Sequence, residues 1–558
     1  MRQDSCGVSA LKRDGIVHSD SQTKANILND QFTSVFTPEP ENNVPTLGRS
    51  PYLALPQITV TEPGVTKLLQ RLNVHKATGP DTIPARILKE VSTQLSPAYT
   101  LLFQTSLNQG EIPIDWRHGF VTPLFKKGDR SKAENYRPIS LTSITSKLLE
   151  HIIYGAMMDH FESLGILNDA QHGFRKRRST ETQLIVTIQD LAKGLDDGGQ
   201  IDALLLDFSK AFDRVPHNRL QLKLDYYGIR GPTLSWIKSF LQGRTQQVLC
   251  EGKKSELSSV VSGVPQGTVL GPLLFLVYIN DLPDSVSSTT RLYADDALVY
   301  RRITNDTDAR ALQDDLNNLQ QWEKTWLMQF NTDKCEVLRI TQKRKPLITQ
   351  YFIHNEKLKT VDSAKYLGVH IDSKLNFNVH VDNTVKKANG IRALVQRNTH
   401  FCPRKTKAAA YKSLVRPVVE YASTVWSPHT KKNITKVETV QRKSARWVMS
   451  DWQRTSSVTA MLESLEWPSL EARRAQARVI MLHKIIHNLV DIDTNQYLEP
   501  AVVRGEEAVR FIIPYARTSA YKYSFFPAAV RLWYNTAAPM TFVSLSSLRL
   551  SLAITQLD

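Results

Sequence analysis

Apolar residues recur at intervals of three and four along several stretches of the chain, the period of a helix with one buried face. This spacing predicts helices over Thr93–Asn108, Thr145–Leu164 and Thr180–Leu195. A shorter piece with the same period, KANILNDQFTSVF, lies near the amino terminus and runs into a proline-rich stretch from Pro38 to Pro56. Residues 1–56 therefore read as a connector. From there to about residue 375, helices alternate with apolar runs of strand length, which is an α+β pattern. Two further helices are predicted in AAAYKSLVRPVVEYASTVW and KKNITKVETVQRKSARWVM, where basic residues fill the positions between the apolar ones. Residues 451–558 begin with a helical pattern, EARRAQARVIMLHKIIHNL, and then lose their periodicity. No repeat of fixed period is present.

Length and charge sharpen this picture. A chain of 558 residues with 41% apolar positions has room for three or four domains of about 150 residues, each with its own core. It carries 71 Lys and Arg against 54 Asp and Glu, a net charge of +17 that favours a polyanionic partner such as nucleic acid. Of that excess, +13 falls between Lys386 and Arg446, where Glu420 and Glu438 are the only acidic residues. A helical face of one sign suits phosphates, although a merely soluble helical bundle has the same composition. Cys6, Cys250, Cys335 and Cys402 are far apart and form no CxxC pair, so a zinc knuckle or disulfide framework is not supported. The amino terminus lacks the apolar core of a signal peptide. The longest apolar run, Val269 to Ile279, is broken by Gly271-Pro272 and is too short to span a bilayer.

Two segments place carboxylates at the ends of apolar runs. In ALLLDFSKAFDRVP, Ala203 to Leu206 reads as a buried strand that Asp207 ends. In RLYADDALVY, Asp295 and Asp296 sit between two strand-like runs, as at the tip of a hairpin. Taken singly, Asp207 also suits a helix N-cap, and Asp295-Asp296 suit a turn. If the hairpin tip meets the end of the strand, three carboxylates share one place, and such oxygen-only ligands suit Mg²⁺ and two-metal nucleotidyl transfer. A third segment, SGVPQGTVLGPLLFLVYINDLP, opens with Gly263, Pro265 and Gly267. These glycines let backbone approach a flat ligand, and the N-terminus of the helix that follows can face an anion.

In chain order these segments stand with FVTPLFKKGDRSKAENYRPISLTSITSKLLEHII, QHGFRKRRSTETQL, WLMQFNTDKCEVLRI and YLGVHID. The ordered set resembles the reverse transcriptase of non-LTR retrotransposons of the jockey and chicken-repeat type, from about Thr59 to about residue 375, with family-like helices to about 450. The resemblance implies a right-hand polymerase with an antiparallel palm sheet. The fingers would span 57–200, the palm 201–375 and a basic helical thumb 376–450, with a mostly helical carboxy-terminal region of unknown role over 451–558. It implies an RNA template, a DNA primer or target, deoxynucleotides and two Mg²⁺ ions, with Mn²⁺ as a substitute, and no membrane. An intracellular chain is implied, nuclear when active and with a cytoplasmic ribonucleoprotein stage. The family's endonuclease usually precedes the polymerase, and residues 1–56 resemble the linker behind it. The chain is therefore expected to be the polymerase part, with the endonuclease supplied by a missing amino-terminal part or by another chain.

Residue by residue, the resemblance makes Asp207 and Asp295 metal ligands, with Asp296 the neighbouring carboxylate and the Phe208 carbonyl completing the second ion's shell. Asp213 is expected to pair structurally. Phe212 takes the place of the aromatic gate against a ribose 2′-hydroxyl, with a plain core aromatic as the alternative. Gln266 and Gly267 support the incoming nucleotide, and Arg137 with Lys127 (or Lys126) clamps its triphosphate. Lys334 protonates the leaving pyrophosphate, or is a surface lysine at a strand start. Arg175, Lys176, Arg177 and Arg178 follow the template backbone. Tyr366, Leu367 and Gly368 form the turn that grips the primer. Leu312, Leu316, Leu319, Trp322 and Trp326 form the buried stripe of one helix. A catalytically inactive nucleic-acid-binding remnant of such an element is the rival reading. A nuclease using the same aspartates lacks an added His or Glu cluster.

Overall fold

The computed structural model describes residues 7–40, 44–501 and 510–535. Two units emerge, each assembled from three separate stretches of chain. The first comprises Met1–Phe174, Phe208–Val286 and Asn317–Asn331; the second comprises Arg175–Asp207, Ser287–Leu316 and Thr332–Asp558.

The second unit is built on a five-stranded sheet ordered Lys359–Val361, Glu336–Thr341, Gln200–Asp207, Asp296–Arg302, Thr289–Tyr293. The central strand Gln200–Asp207 pairs antiparallel on both sides, whereas the outermost pair, 336–338 with 359–361, is parallel. The sheet is thus mixed at one edge, where an all-antiparallel one was expected. The central strand's apolar run is continuous because both of its faces are covered. Ile201, Ala203, Leu298, Tyr300, Leu338 and Ile340 share one core with the buried face of the helix Thr180–Asp196. On the other face, the fully buried Asp202 meets Arg339 and Tyr351 (3.2 and 2.9 Å), so this carboxylate is structural.

In the basic region, Lys431–Met449 forms the predicted helix and packs with Asn378–Asn398. The stretch AAAYKSLVRPVVEYASTVW does not form one helix. It divides into Arg404–Ala410, a π-helical turn Tyr411–Val415, Arg416–Glu420 and Ser423–Trp426. Pro417 has no N–H to continue the ladder, and Ala422 at φ +48° reverses the chain's course. The carboxy-terminal stretch belongs to this same unit. Asp491 pairs with Arg178 (2.6 Å), Tyr497 donates to Asp190 (3.2 Å), and Asp196 accepts from the Thr518 N–H (2.6 Å).

In the first unit, another five-stranded sheet orders Tyr136–Leu141, His118–Phe125, Arg244–Cys250 and Lys253–Lys254, with Ser258–Val260 also paired to Arg244–Cys250. The long apolar run becomes the helix Leu270–Ile279, buried on nearly every side. Gly271 and Pro272 fall in its first turn, where a missing N–H costs nothing. The helix Asp306–Trp326, which belongs to the second unit up to Leu316 and to the first from Asn317, buries the predicted stripe Leu312, Leu316, Leu319, Trp322 and Trp326. Trp322 and Trp326 enclose the ammonium of Lys223, which burial pushes down to about 8 and which pairs with Asp281 at 2.6 Å. These tryptophans are core, as expected. Among the described residues, no helix is long and apolar enough to cross a membrane.

Candidate active site

In the second unit, Asp207 is the last residue of the central strand, and its Cα partner across the antiparallel pair is Asp296. Directly opposed residues project to the same side of a sheet, with Cβ atoms about 4.5–5.5 Å apart. The hairpin Thr289–Tyr293 to Asp296–Arg302 closes with Tyr293 opposite Asp296, leaving Ala294 and Asp295 as a two-residue loop. Ala294 has φ +54°, the sign a type II′ turn requires at its first loop position. Asp295 is therefore at the tip, and Asp296 already belongs to the strand. On the other side of the central strand, Glu336 lies opposite Leu205, and the short turn Thr332–Lys334 precedes it. That register brings the Lys334 Nζ to 2.7 Å from Asp207 Oδ2, with both side chains part-exposed. Asp207 is no N-cap: the helix that follows begins after Lys210.

These groups fit a hard cation. All the candidate donors are oxygens, the carboxylates of Asp207 and Asp296 on directly paired strand positions among them, and Lys334 pairs with Asp207. Among the described residues, no group of three or more His, Cys, Asp or Glu side chains stands at metal-ligand spacing. The fit is thus of the kind Mg²⁺ makes with one or two carboxylates, its remaining positions going to substrate oxygens and water.

The turn Leu367-Gly368 joins the strands Ser363–Tyr366 and Val369–Asp372, with φ +44° and +85°. Positive φ at both positions is the signature of a type I′ hairpin turn. Tyr366 is buried, and its hydroxyl accepts from Gln183 at 2.9 Å. Sequence reasoning missed Tyr421, whose hydroxyl donates to the Leu367 carbonyl (2.9 Å) while its ring closes against Gly368. The four consecutive cations have unlike surroundings. Arg178 is an internal partner of Asp491 and Arg177 donates to the Asn488 carbonyl (3.2 Å), whereas Lys176 is exposed.

In the first unit, the loop Ser262–Gly267 is bound on three sides. Gly263 and Val264 N–H donate to the Val215 and Phe212 carbonyls (both 2.8 Å), and the Gln266 carbonyl accepts from Ser140 N–H (2.7 Å). Gly267, at φ +106°, passes so close to the Ser140 carbonyl that a Cβ would stand 2.7 Å from it. Its glycine thus serves a backbone approach within the fold. The side-chain amide of Gln266 donates to Asp213 (2.8 Å), so Asp213 does pair structurally. Phe212 is half-buried, stacked on Phe275 with ring centroids 4.3 Å apart and met edge-on by Phe174. Phe208 is buried and stacked on Phe330. Arg137, Lys126 and Lys127 are exposed; Arg137 and Lys210 both act electrostatically on Asp213.

One expectation fails here. The N-terminus of the helix Leu270–Ile279 does not await an anion, because the fully buried Glu150 occupies it. Its Oε2 accepts from Val269 N–H (2.7 Å) and Leu270 N–H (3.2 Å). No local motif announces this, since the cap comes from a helix more than a hundred residues away.

Burial also pushes the Asp213 carboxyl up to about 6, against the opposing pull of Gln266, Lys210 and Arg137. Its folded-state pKa lies above the unfolded value of 3.8, so stability is lost as pH rises from about 4 through 6 and the cost is complete above that. Asp213→Asn keeps an acceptor for Gln266 without the charge. Its melting temperature is expected to exceed that of wild type at pH 8, with the gap closing towards pH 4. A gap that widens on acidification would contradict this assignment.

An aspartate ending a central antiparallel strand, opposed by a hairpin aspartate and accompanied by a lysine, is the equipment of a nucleotidyl-transferring polymerase. Comparison with known proteins agrees. Residues 125–371 match the family described as reverse transcriptase (RNA-dependent DNA polymerase). The chain is 31% identical over 406 residues to a probable RNA-directed DNA polymerase from transposon X-element of Drosophila melanogaster, covering 70% of this chain and 44% of that protein. Identity is 29% over 449 residues with the corresponding protein of transposon BS, and 28% over 443 residues with the RNA-directed DNA polymerase from mobile element jockey, both of Drosophila melanogaster. These alignments cover 76% of this chain and 48% of each relative. The chain thus spans a little under half the length of these relatives, whose names bear out the resemblance to the jockey type drawn from the motifs.

Proposed function

We propose that this chain is the RNA-directed DNA polymerase of a non-LTR retrotransposon, extending a DNA 3′-hydroxyl with deoxynucleotides along an RNA template. The observation that carries this reading is the register pair Asp207–Asp296, with Lys334 on the opposite flank of Asp207. In this reading residues 57–200 act as fingers, 201–375 as palm and 376–450 as a basic thumb, with Tyr497 and Thr518 of the carboxy-terminal region bracing the helix Thr180–Asp196.

Asp207 and Asp295, with Asp296 and the Phe208 carbonyl, would hold two Mg²⁺ ions. Ions bound there supply a lowered pKa at the attacking hydroxyl and charge stabilisation at the leaving pyrophosphate. Lys334, which donates to Asp207, passes its proton to the leaving pyrophosphate. Arg137, with Lys127 or Lys126 and with Lys210, draws in the triphosphate through charge and forked donors. The loop of Gln266 and Gly267 seats the nucleotide. Lys176 and its neighbours Arg175 and Arg177 follow the template phosphates, and the Tyr366–Gly368 turn aligns the primer end for in-line attack.

Phe212 is the gate: its ring, wedged between Phe275 and Phe174, has little freedom to yield to a 2′-hydroxyl. Phe212→Ala is expected to erode discrimination against ribonucleotides by about 100-fold, the scale on which a pocket rejects an added hydroxyl. The measure is the ratio of kcat/KM for a deoxynucleotide and its ribonucleotide; an unchanged ratio makes Phe212 a core residue.

The direct test is primer extension on an RNA template with deoxynucleotides and Mg²⁺. Extension should stop on chelation and resume with Mg²⁺ or Mn²⁺. A chain that binds primer–template with steep salt dependence yet extends nothing is the inactive remnant instead.

A further inference from the structure

Segments 37–39 and 50–55, ahead of the matched region, strap the two ends of one helix of the first unit, where a connector was expected. That helix, His217–Tyr226, starts behind Pro216, which has no side chain able to cap it. Its orphan N–H groups are met from far away in sequence. Glu39 accepts from Asn218 N–H (2.9 Å), Arg219 N–H (3.1 Å) and the Arg219 guanidinium (2.9 Å), the arginine buried and the glutamate part-buried. At the other end, Leu55 N–H donates to the Gly228 carbonyl (2.8 Å), Ser50 donates to the Tyr226 carbonyl, and the Tyr52 ring packs on Tyr226 and Tyr227.

The strap also reaches the loop Ser262–Gly267 by two routes. Thr37 N–H donates to Ser262 Oγ (2.9 Å), which in turn donates to the Asp213 carbonyl (2.9 Å). The helix that Glu39 caps begins with His217, whose ring nitrogen meets the Gly263 carbonyl at 2.8 Å. Upstream, the strap is anchored by the helix Ser21–Thr33. There the buried Lys24 pairs with Glu251 (2.8 Å), and Asn29 donates to Ser258 (2.7 Å) and accepts from Gln246 (3.2 Å).

We infer that Glu39 is a positioning residue for nucleotide binding: it holds the helix His217–Tyr226, and through His217 and Ser262 the loop 262–267, in the conformation that receives the incoming nucleotide. This rests on the reading of that loop given above. Glu39 touches no reacting atom and sets the loop's order instead. Glu39→Gln keeps the size, but with its single acceptor oxygen on the two Arg219 donors its NH2 is turned on the Asn218 N–H, and the guanidinium loses its counter-charge.

The test uses the full chain, wild type and Glu39→Gln, with Glu39→Ala as a second variant. Hydrogen exchange is followed by mass spectrometry alongside steady-state primer extension. Exchange at 217–220 and 262–267 is expected to quicken about tenfold, as befits one lost charge-assisted bond, while the strand Gln200–Asp207 keeps its protection. KM for the deoxynucleotide is expected to rise about tenfold with kcat within about twofold of wild type. Unchanged exchange at 262–267 overturns the inference, and so does faster exchange throughout the chain in step with a lower melting temperature. If even wild type extends no primer, the nucleotide reading falls and the inference about nucleotide binding falls with it; exchange confined to the two segments then leaves Glu39 a strap of the loop alone.

Discussion

Primer extension by Asp207→Asn or Asp295→Ala is expected to fall roughly a thousandfold or more, with primer–template affinity unchanged. Asp207→Asn changes neither size nor shape, so the pairing of Gln200–Asp207 with both neighbours survives. What changes is charge: an amide replaces an acceptor-only carboxylate, and Lys334, 2.7 Å away, loses its counter-charge. A divalent ion bound there is worth several kcal/mol of transition-state stabilisation, and each 1.36 kcal/mol is a factor of ten in rate. Single-turnover extension on a fixed primer–template measures the rate, and a filter-binding titration at constant salt measures affinity. If Asp295→Ala extended primers at the wild-type rate, the hairpin tip would be only a turn. If affinity fell with activity, the aspartates would be organising the fold.

Glu150→Ala is expected to destabilise the first unit by about 3–5 kcal/mol. The carboxylate is inaccessible to water and satisfies two backbone N–H groups at the start of a helix that has no other cap. Ser146 also donates to it, and the buried Arg244 and half-buried Lys147 draw part of their charge balance from it. Removing it leaves two backbone donors unmet, each costing about 1–3 kcal/mol, and takes the counter-charge from the Arg244 guanidinium, which keeps its bond to the Phe240 carbonyl and its place over the Phe240 ring. Glu150→Gln retains one acceptor oxygen and is expected to lose less. Urea denaturation of both variants measures this, and a Glu150→Ala midpoint equal to that of wild type would refute the capping role.

Local periodicity carried much of the fold. The helices expected over Thr93–Asn108, Thr145–Leu164 and Thr180–Leu195 appear as Ser92–Gln109, Ile144–Ser163 and Thr180–Asp196. They succeed because a helix with one buried face repeats its chemistry every three or four residues. The stretch around Pro417 fails for an equally local reason: a proline and a residue at positive φ interrupt an apolar period that the sequence continues through. The aspartates were legible because each ends an apolar strand, a pattern visible within ten residues. Glu150, Tyr421 and Glu39 were not, because each acts on backbone groups far along the chain and has an unremarkable local sequence.

The sequence by itself determined the elements, the excess positive charge of residues 386–446 and the identity of the residues that ordered motifs mark for polymerase chemistry. These depend on nearest-neighbour chemistry and on spacing along one chain. Only the tertiary structure decided that Asp207 faces Asp296 in register, that Gln266 is engaged by Asp213, and that segments 37–39 and 50–55 strap the helix His217–Tyr226. Register and long-range capping are settled by where buried backbone donors and acceptors find partners. That is a global accounting in which every buried N–H and carbonyl must be met, and no local window of the sequence contains both sides of it.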